Sequence, residues 1–138
     1  MLLRNVTGGN TAGNFVQVGH GGINWAGDHG GDIDVTAGTI TMTAGSTGTH
    51  RYAQIGHGGN AVSNALSGVS ELTGHITVLV GEISMNTGTS LEGSVQIGHG
   101  GSNWTGGGVS AANIKVDVKG TIALNAGSAS GAYSQIGH

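Results

Sequence analysis

The 138-residue chain contains no cysteine and no proline, only four Lys and Arg, and five aromatic residues other than His. Each shortage excludes something. Without cysteine there is no disulfide scaffold, no thiolate metal site and no cysteine nucleophile. Four basic residues and a formal net charge of −3 leave no basic surface for a nucleic-acid backbone. No apolar run exceeds the length of Val78-Leu79-Val80, far short of the roughly 18 residues of a membrane-spanning helix. Arg4 follows Met1-Leu2-Leu3 directly, so no signal peptide is expected. Charged residues are 8% of the chain, against roughly 25% in an average soluble domain.

What is abundant is glycine, 30 residues, with Ser, Thr, Ala and Asn close behind. That composition resembles a low-complexity linker. Disordered chains, however, lack β-branched apolar residues and carry high net charge, whereas Val and Ile recur here at fixed places. The chain is expected to fold as one domain, 1–138.

The recurrence is a repeat. Gln-Val/Ile-Gly-His begins at Gln17, Gln54, Gln96 and Gln135, and the first three copies continue into Gly21-Gly22, Gly58-Gly59 and Gly100-Gly101. Every Gln of the protein lies in this motif. Phe15, Tyr52 and Tyr133 stand two positions before Gln, and Ser94 takes that place in the third copy. After each motif comes a variable stretch, then paired segments such as DIDVTAG–TITMTAG and HITVLVG–EISMNTG. Units run at about 17–53, 54–95 and 96–134, with partial units at 1–16 and 135–138.

Apolar and polar residues alternate within these segments, the mark of a half-buried strand. Ile33-Val35, Ile76-Val78-Val80 and Ile114-Val116-Val118 share the inward face of the first segment. Ile40-Met42-Ala44, Ile83-Met85 and Ile122-Leu124-Ala126 share that of the second. Val16-Val18, Ala53-Ile55 and Val95-Ile97 do so in the Gln strand. No stretch keeps helical spacing over three turns. A single unit cannot bury its apolar face, but stacked units can. The fold expected is all-β, a parallel β-solenoid (β-helix) of about three units of 37–42 residues with three short strands each. Ala37-Gly38 and Lys119-Gly120 are expected to be corners that need glycine's backbone freedom. We favour one coil per unit; two coils of about 19 residues each is the alternative.

The units DIDVTAG-TITMTAG-(link)-YAQIGHGG resemble the repeats of large bacterial surface and secreted proteins of the filamentous-haemagglutinin type, over essentially the whole chain. That resemblance implies an extracellular or cell-surface β-helical fibre and supplies no catalytic signature. The chain would then be a slice of such a fibre or a small stand-alone relative.

The candidate site residues are rows. Gln17, Gln54, Gln96 and Gln135 are expected to form an amide ladder, bonding side chain to side chain. His20, His57, His99 and His138 form a second row. Histidine is the commonest metal ligand, yet rings stacked one per unit do not converge tetrahedrally. The reading adopted is a corner His bonded to backbone carbonyls, with no metal and no cofactor. Asp28, Asp32 and Asp34 form the sole acidic cluster, but His75, Thr77, Asn113 and Lys115 replace two of them in other units, which argues against calcium. No nucleophile–base or paired-carboxylate arrangement is visible, so no enzyme is expected. Positions equivalent to Thr41 are Ser84 and Ala123, which breaks the threonine row an ice-binding solenoid needs.

The leading expectation is a non-enzymatic structural segment that stacks with further repeats or other copies of itself. The alternative is a carbohydrate-binding module in which Trp25 and Trp104, in matching Asn-Trp dipeptides, stack on a surface glycan. We favour the plainer role for them, packing over the apolar edge of their own coil.

Overall fold

Alternating Val, Ile and Thr in segments bounded by glycine form strands, and in the computed structural model every pairing between them is parallel. The structure describes residues 6–7, 13–23, 27–60, 71–101, 108–110 and 112–138. Among these there are thirteen strands and no helix. They are β1 (Val6–Thr7), β2 (Phe15–Val18), β3 (Gly21–Ile23), β4 (Ile33–Thr43), β5 (Tyr52–Ile55), β6 (Gly58–Asn60) and β7 (Glu71–Thr73). The chain continues with β8 (Ile76–Asn86), β9 (Ser94–Ile97), β10 (Gly108–Ser110), β11 (Ile114–Val118), β12 (Ile122–Asn125) and β13 (Tyr133–Ile136).

Two main sheets follow the repeat. One runs β1-β4-β8-β11, with β12 also on β8; the other runs β2-β5-β9-β13. β3 pairs with β6 and β7 with β10. Gln17 pairs directly with Gln54, Gln54 with Gln96, and Gln96 with Gln135. One unit therefore carries the chain from a strand to its immediate parallel neighbour in the sheet, with no strand between them. The offset between partners is 37 residues at His20 and His57 but 43 at Asp32 and His75. The second unit's longer variable stretch absorbs the difference without disturbing the sheets on either side.

The inward sets of the two sheets meet in one core. Ile33, Val35, Ile40, Met42, Ile76, Val78, Ile83 and Met85 from the first sheet pack with Ala53, Ile55, Val95 and Ile97 from the second. Their Asp, Thr and Lys neighbours along the first sheet point away from it.

Two expectations need correction. The paired segments of the first two units are not separate strands: each fuses into one 11-residue strand, β4 or β8. Inward and outward positions change parity at Gly38-Thr39, so the strand bends there while its ladder continues. The bend does not use positive φ, which Gly38, Gly81 and Gly120 all lack; a Cβ on Gly38 would meet nothing within 4 Å, and close approach demands glycine at Gly81 instead. A Cβ on Gly81 would lie 2.4 Å from the Gly38 carbonyl oxygen.

The candidate functional site: a corner of stacked Gln and His

The Gln-Val/Ile-Gly-His motif ends a strand of the second sheet and turns the chain into the Gly-Gly segment. At this turn the regular ladder lapses, and the backbone groups it would have satisfied need other partners. The Gln and His side chains supply them.

Each Gln sits inside the turn, with Gln54 and Gln96 buried. The Gln17 amide Nε2 donates to the carbonyls of His20 (3.1 Å), Gly56 (2.9 Å) and Gly58 (3.2 Å). Gln54 repeats this with His57, Gly98 and Gly100, the last two at 2.8 and 3.0 Å. Gln96 donates to His99 and Gly137, and Gln135 to His138. The expected amide-to-amide ladder is therefore not what joins the row. Two amide hydrogens span the turn and the gap to the next unit, where carbonyls rather than a neighbouring amide oxygen lie in reach. An amide-to-amide bond does occur elsewhere, from Asn125 Nδ2 to Asn86 Oδ1 at 2.9 Å.

The Gln oxygens look to the next unit's aromatic. Tyr52 Oη approaches Gln17 Oε1, and Tyr133 Oη approaches Gln96 Oε1, both at 3.5 Å. Ser94 is too short for the same task, and Gln54 Oε1 is buried without a hydrogen-bond partner among the described residues. Phe15 stacks flat on Tyr52 at 4.8 Å between ring centroids. Burial pushes both tyrosine phenols up, and a hydrogen bond with Ser94 pulls Tyr133 partly back.

The His row is continuous. His20, His57, His99 and His138 stack with centroids 5.2, 5.0 and 5.1 Å apart and planes within 11°. The backbone N–H of His20 donates to Nδ1 of His57, that of His57 to His99, and that of His99 to His138, each at 3.0 Å. An accepting Nδ1 carries no proton, so the proton of the neutral ring is on Nε2. There it donates to a carbonyl: His57 Nε2 to Gly31 at 2.8 Å and His99 Nε2 to Gly74 at 3.0 Å. Neither ring nitrogen of His57 or His99 can bind a metal without breaking one of these bonds. Burial lowers the pKa of His99, opposed by its bond to Gly74 and reinforced by His57 and His138. His29, stacked 6.1 Å from His20, is lowered by burial and by His20 and His57, against a smaller opposing pull from Asp28.

The acidic cluster is used in the same way. Asp28 Oδ1 accepts the Glu71 N–H at 2.9 Å and Asp32 Oδ1 the His75 N–H at 2.8 Å, while His75 Nδ1 accepts from Asn113. Among the described residues, no group of three or more His, Asp or Glu is arranged to hold a metal ion. Comparison with protein families, curated proteins and solved structures finds no match.

Trp25 and Trp104 lie outside the described residues. Sequence reasoning missed His50 and Glu92, non-glycine residues at φ 55° and 54° whose side chains meet at 2.6 Å. They occupy the places that Gly13 and Gly131, also at positive φ, hold in the flanking units. That alternation of Gly with His and Glu was the available signal.

Proposed function

We propose that the chain is a parallel β-solenoid segment with a structural role, a stiff module of a bacterial extracellular fibre or adhesin. The observation that carries this reading is the residue-on-residue register of all four Gln-Val/Ile-Gly-His motifs. The buried side chains of Gln54, Gln96, His57 and His99 all bond between units. Such a stack resists shear between units because strand ladder, His row and Gln row must break together. The extracellular setting rests on the resemblance in repeat style.

A tandem duplication of residues 54–134 tests the rod. Two added units should lengthen the particle by about 10 Å, at about 4.8 Å per parallel strand, with an unchanged cross-section in small-angle scattering. A widened cross-section would sink the solenoid reading. A glycan array should show no binding; binding that Trp25→Ala with Trp104→Ala abolishes would establish the carbohydrate-binding alternative. Antibody against the chain should label intact cells of its source; labelling only after lysis would refute the extracellular setting.

A further inference from the structure

The outward face of the first sheet gathers charges that the fold leaves unused. Elsewhere the acidic groups have partners: Asp28 and Asp32 accept backbone N–H groups, and Glu92 meets His50. Asp34, Lys115, Asp117 and Lys119 enter no ion pair among the described residues, and all four are exposed. They share the outward side of β4, β8 and β11, and Lys115 and Lys119 are the only lysines of the protein. Only 8% of the chain is charged, so this grouping is a marked one.

The groups stand in order about the middle strand. One row reads Asp34, Thr77, Lys115, and the next reads Thr36, Leu79, Asp117. The first row thus has a negative end, a neutral centre and a positive end. Leu79, at the centre of the second row, is 39% exposed. Beside it the surface is bare: a Cβ on Gly38 would meet nothing within 4 Å, and a trough of about 470 Å³ runs past Leu79, Gly81 and Lys119. This face lies along the side of the stack, so it stays open however many units lie above or below.

A second copy turned by half a rotation about an axis along β8 lays the same face on this one, with the stacking direction reversed. Asp34 then meets the second copy's Lys115, Lys115 meets its Asp34, and Leu79 meets Leu79 on the axis. Asp117 meets Thr36, whose hydroxyl donates to a carboxylate. Lys119 lies over the bare backbone at Gly38, where its stem has room. Sheets packed face to face stand about 10 Å apart, a gap that an Asp and a Lys side chain span together. Glu82 lies past the bend, on the half of β8 that turns away from this face.

We propose that this face binds a second copy of this chain, side by side and antiparallel, as a closed two-fold pair. The same patch serves both copies, so the contact is isologous and ends at two. It is three strands wide and five residues deep, small against the roughly 1,200 Å² of a stable complex. The pair is therefore weak and forms at high micromolar concentration. This inference rests on the solenoid reading above, to which it adds a lateral partner.

Charge exchange tests it. In sedimentation equilibrium at low salt, the wild-type mass should rise with concentration and level at twice the 13.5 kDa of one chain. Asp34→Lys alone and Lys115→Asp alone should each weaken pairing about tenfold, because each sets like charges opposite one another on both sides of the axis. The two together should restore it. Leu79→Cys, in a chain with no other cysteine, places two thiols across the axis, too far apart for a disulfide but within reach of a short bismaleimide. It should cross-link to dimers and no further, whereas Thr89→Cys, exposed in the link after β8, should not. A wild-type chain that stays monomeric at millimolar concentration, a double exchange no better than the single ones, or equal cross-linking through Thr89→Cys overturns the proposal. The pair Thr43→Cys with Asn86→Cys, direct partners in β4 and β8, should close within one chain on mild oxidation. If it closes while lateral pairing fails, the solenoid stands alone; if it does not close, both fall.

Discussion

The middle and last units carry the same inward pattern in different surroundings. In β8, Ile83 and Met85 are 2% and 0% exposed, whereas their partners Ile122 and Leu124 in β12 are almost half exposed. A parallel strand is buried by neighbours on both sides, and β8 has β4 on one side and β11 with β12 on the other. The alternating pattern thus marks which face turns inward, and position in the stack decides how much of that face leaves water. Continuity differs as well. β8 passes unbroken through Gly81-Glu82, while Lys119-Gly120-Thr121 opposes those two residues and splits β11 from β12 as a bulge.

The corner glycines give the sharpest way to break the comparison. A Cβ on Gly56 would lie 1.9 Å from the Gly98 carbonyl oxygen, and one on Gly98 1.8 Å from that of Gly137. On Gly137 the nearest atom would be the amide nitrogen of the Gln135 side chain, at 3.1 Å. Gly56→Ala and Gly98→Ala must separate paired strands and should leave little folded protein by circular dichroism. Gly137→Ala should cost about 1–3 kcal/mol, from backbone strain and a small shift of the Gln135 side chain. Equal losses at the three positions would contradict the stack.

Core truncation comes next. Met85→Ala should destabilise by ~2–5 kcal/mol in denaturant titration, the usual cost of emptying a filled core site. Leu124→Ala should cost less than about 1 kcal/mol, because almost half of that side chain already meets solvent. A Leu124→Ala loss as large as that of Met85→Ala would show that something covers the last unit.

Acid should act through the buried histidines. His99 titrates below its ordinary value of 6.5 in the folded chain because burial opposes its charge. Unfolded protein therefore binds more protons below pH 6.5, and stability present above that pH declines as pH falls toward and through the folded pKa. Protonation of His99 also destroys the Nδ1 acceptor that it offers to the His57 N–H. The midpoint of chemical denaturation should drop between pH 7 and pH 5, with a shallower slope in His99→Asn. A flat profile would refute the neutral, Nε2-protonated row.

The smallest change repairs a gap. Ser94→Tyr places a hydroxyl where Tyr52 and Tyr133 place theirs and gives Gln54 Oε1 a donor. It should stabilise by about 1 kcal/mol, the usual net worth of a hydrogen bond. Tyr133→Phe should cost a similar amount by removing the donor to Gln96 Oε1. No gain from Ser94→Tyr would mean that the Gln oxygens do not depend on that row.

Much of the fold was legible because repetition is written directly in residue order. The Gln-Val/Ile-Gly-His copies aligned the units, and the alternation around Ile76, Val78 and Val80 named the core before any strand was placed. The His row was legible in kind, as backbone-bonded corner residues, but not in direction. Nothing in the order of residues says that His57 accepts from the unit before it, or that Gln54 donates to glycine carbonyls of the unit after it. The fusion of paired segments into β4 and β8 was equally hidden, because a glycine between two alternating runs is compatible with either a break or a bend.

The sequence by itself determined the period, the inward face of each strand and the parallel, helix-free character of the described chain. All three are properties of spacing along one chain: β-branched residues in alternation favour strands, and copies of one pattern present identical edges to each other. Tertiary structure alone decided which atoms meet across units. Hydrogen bonds between His57 and His99, or Gln54 and Gly98, depend on how far the turn rises toward the next strand. That rise exists only once the strands have stacked. The same cause makes alanine costlier at Gly56 than at Gly137 within one repeated motif, since among the described residues the first has another unit's carbonyl pressed against it and the second does not.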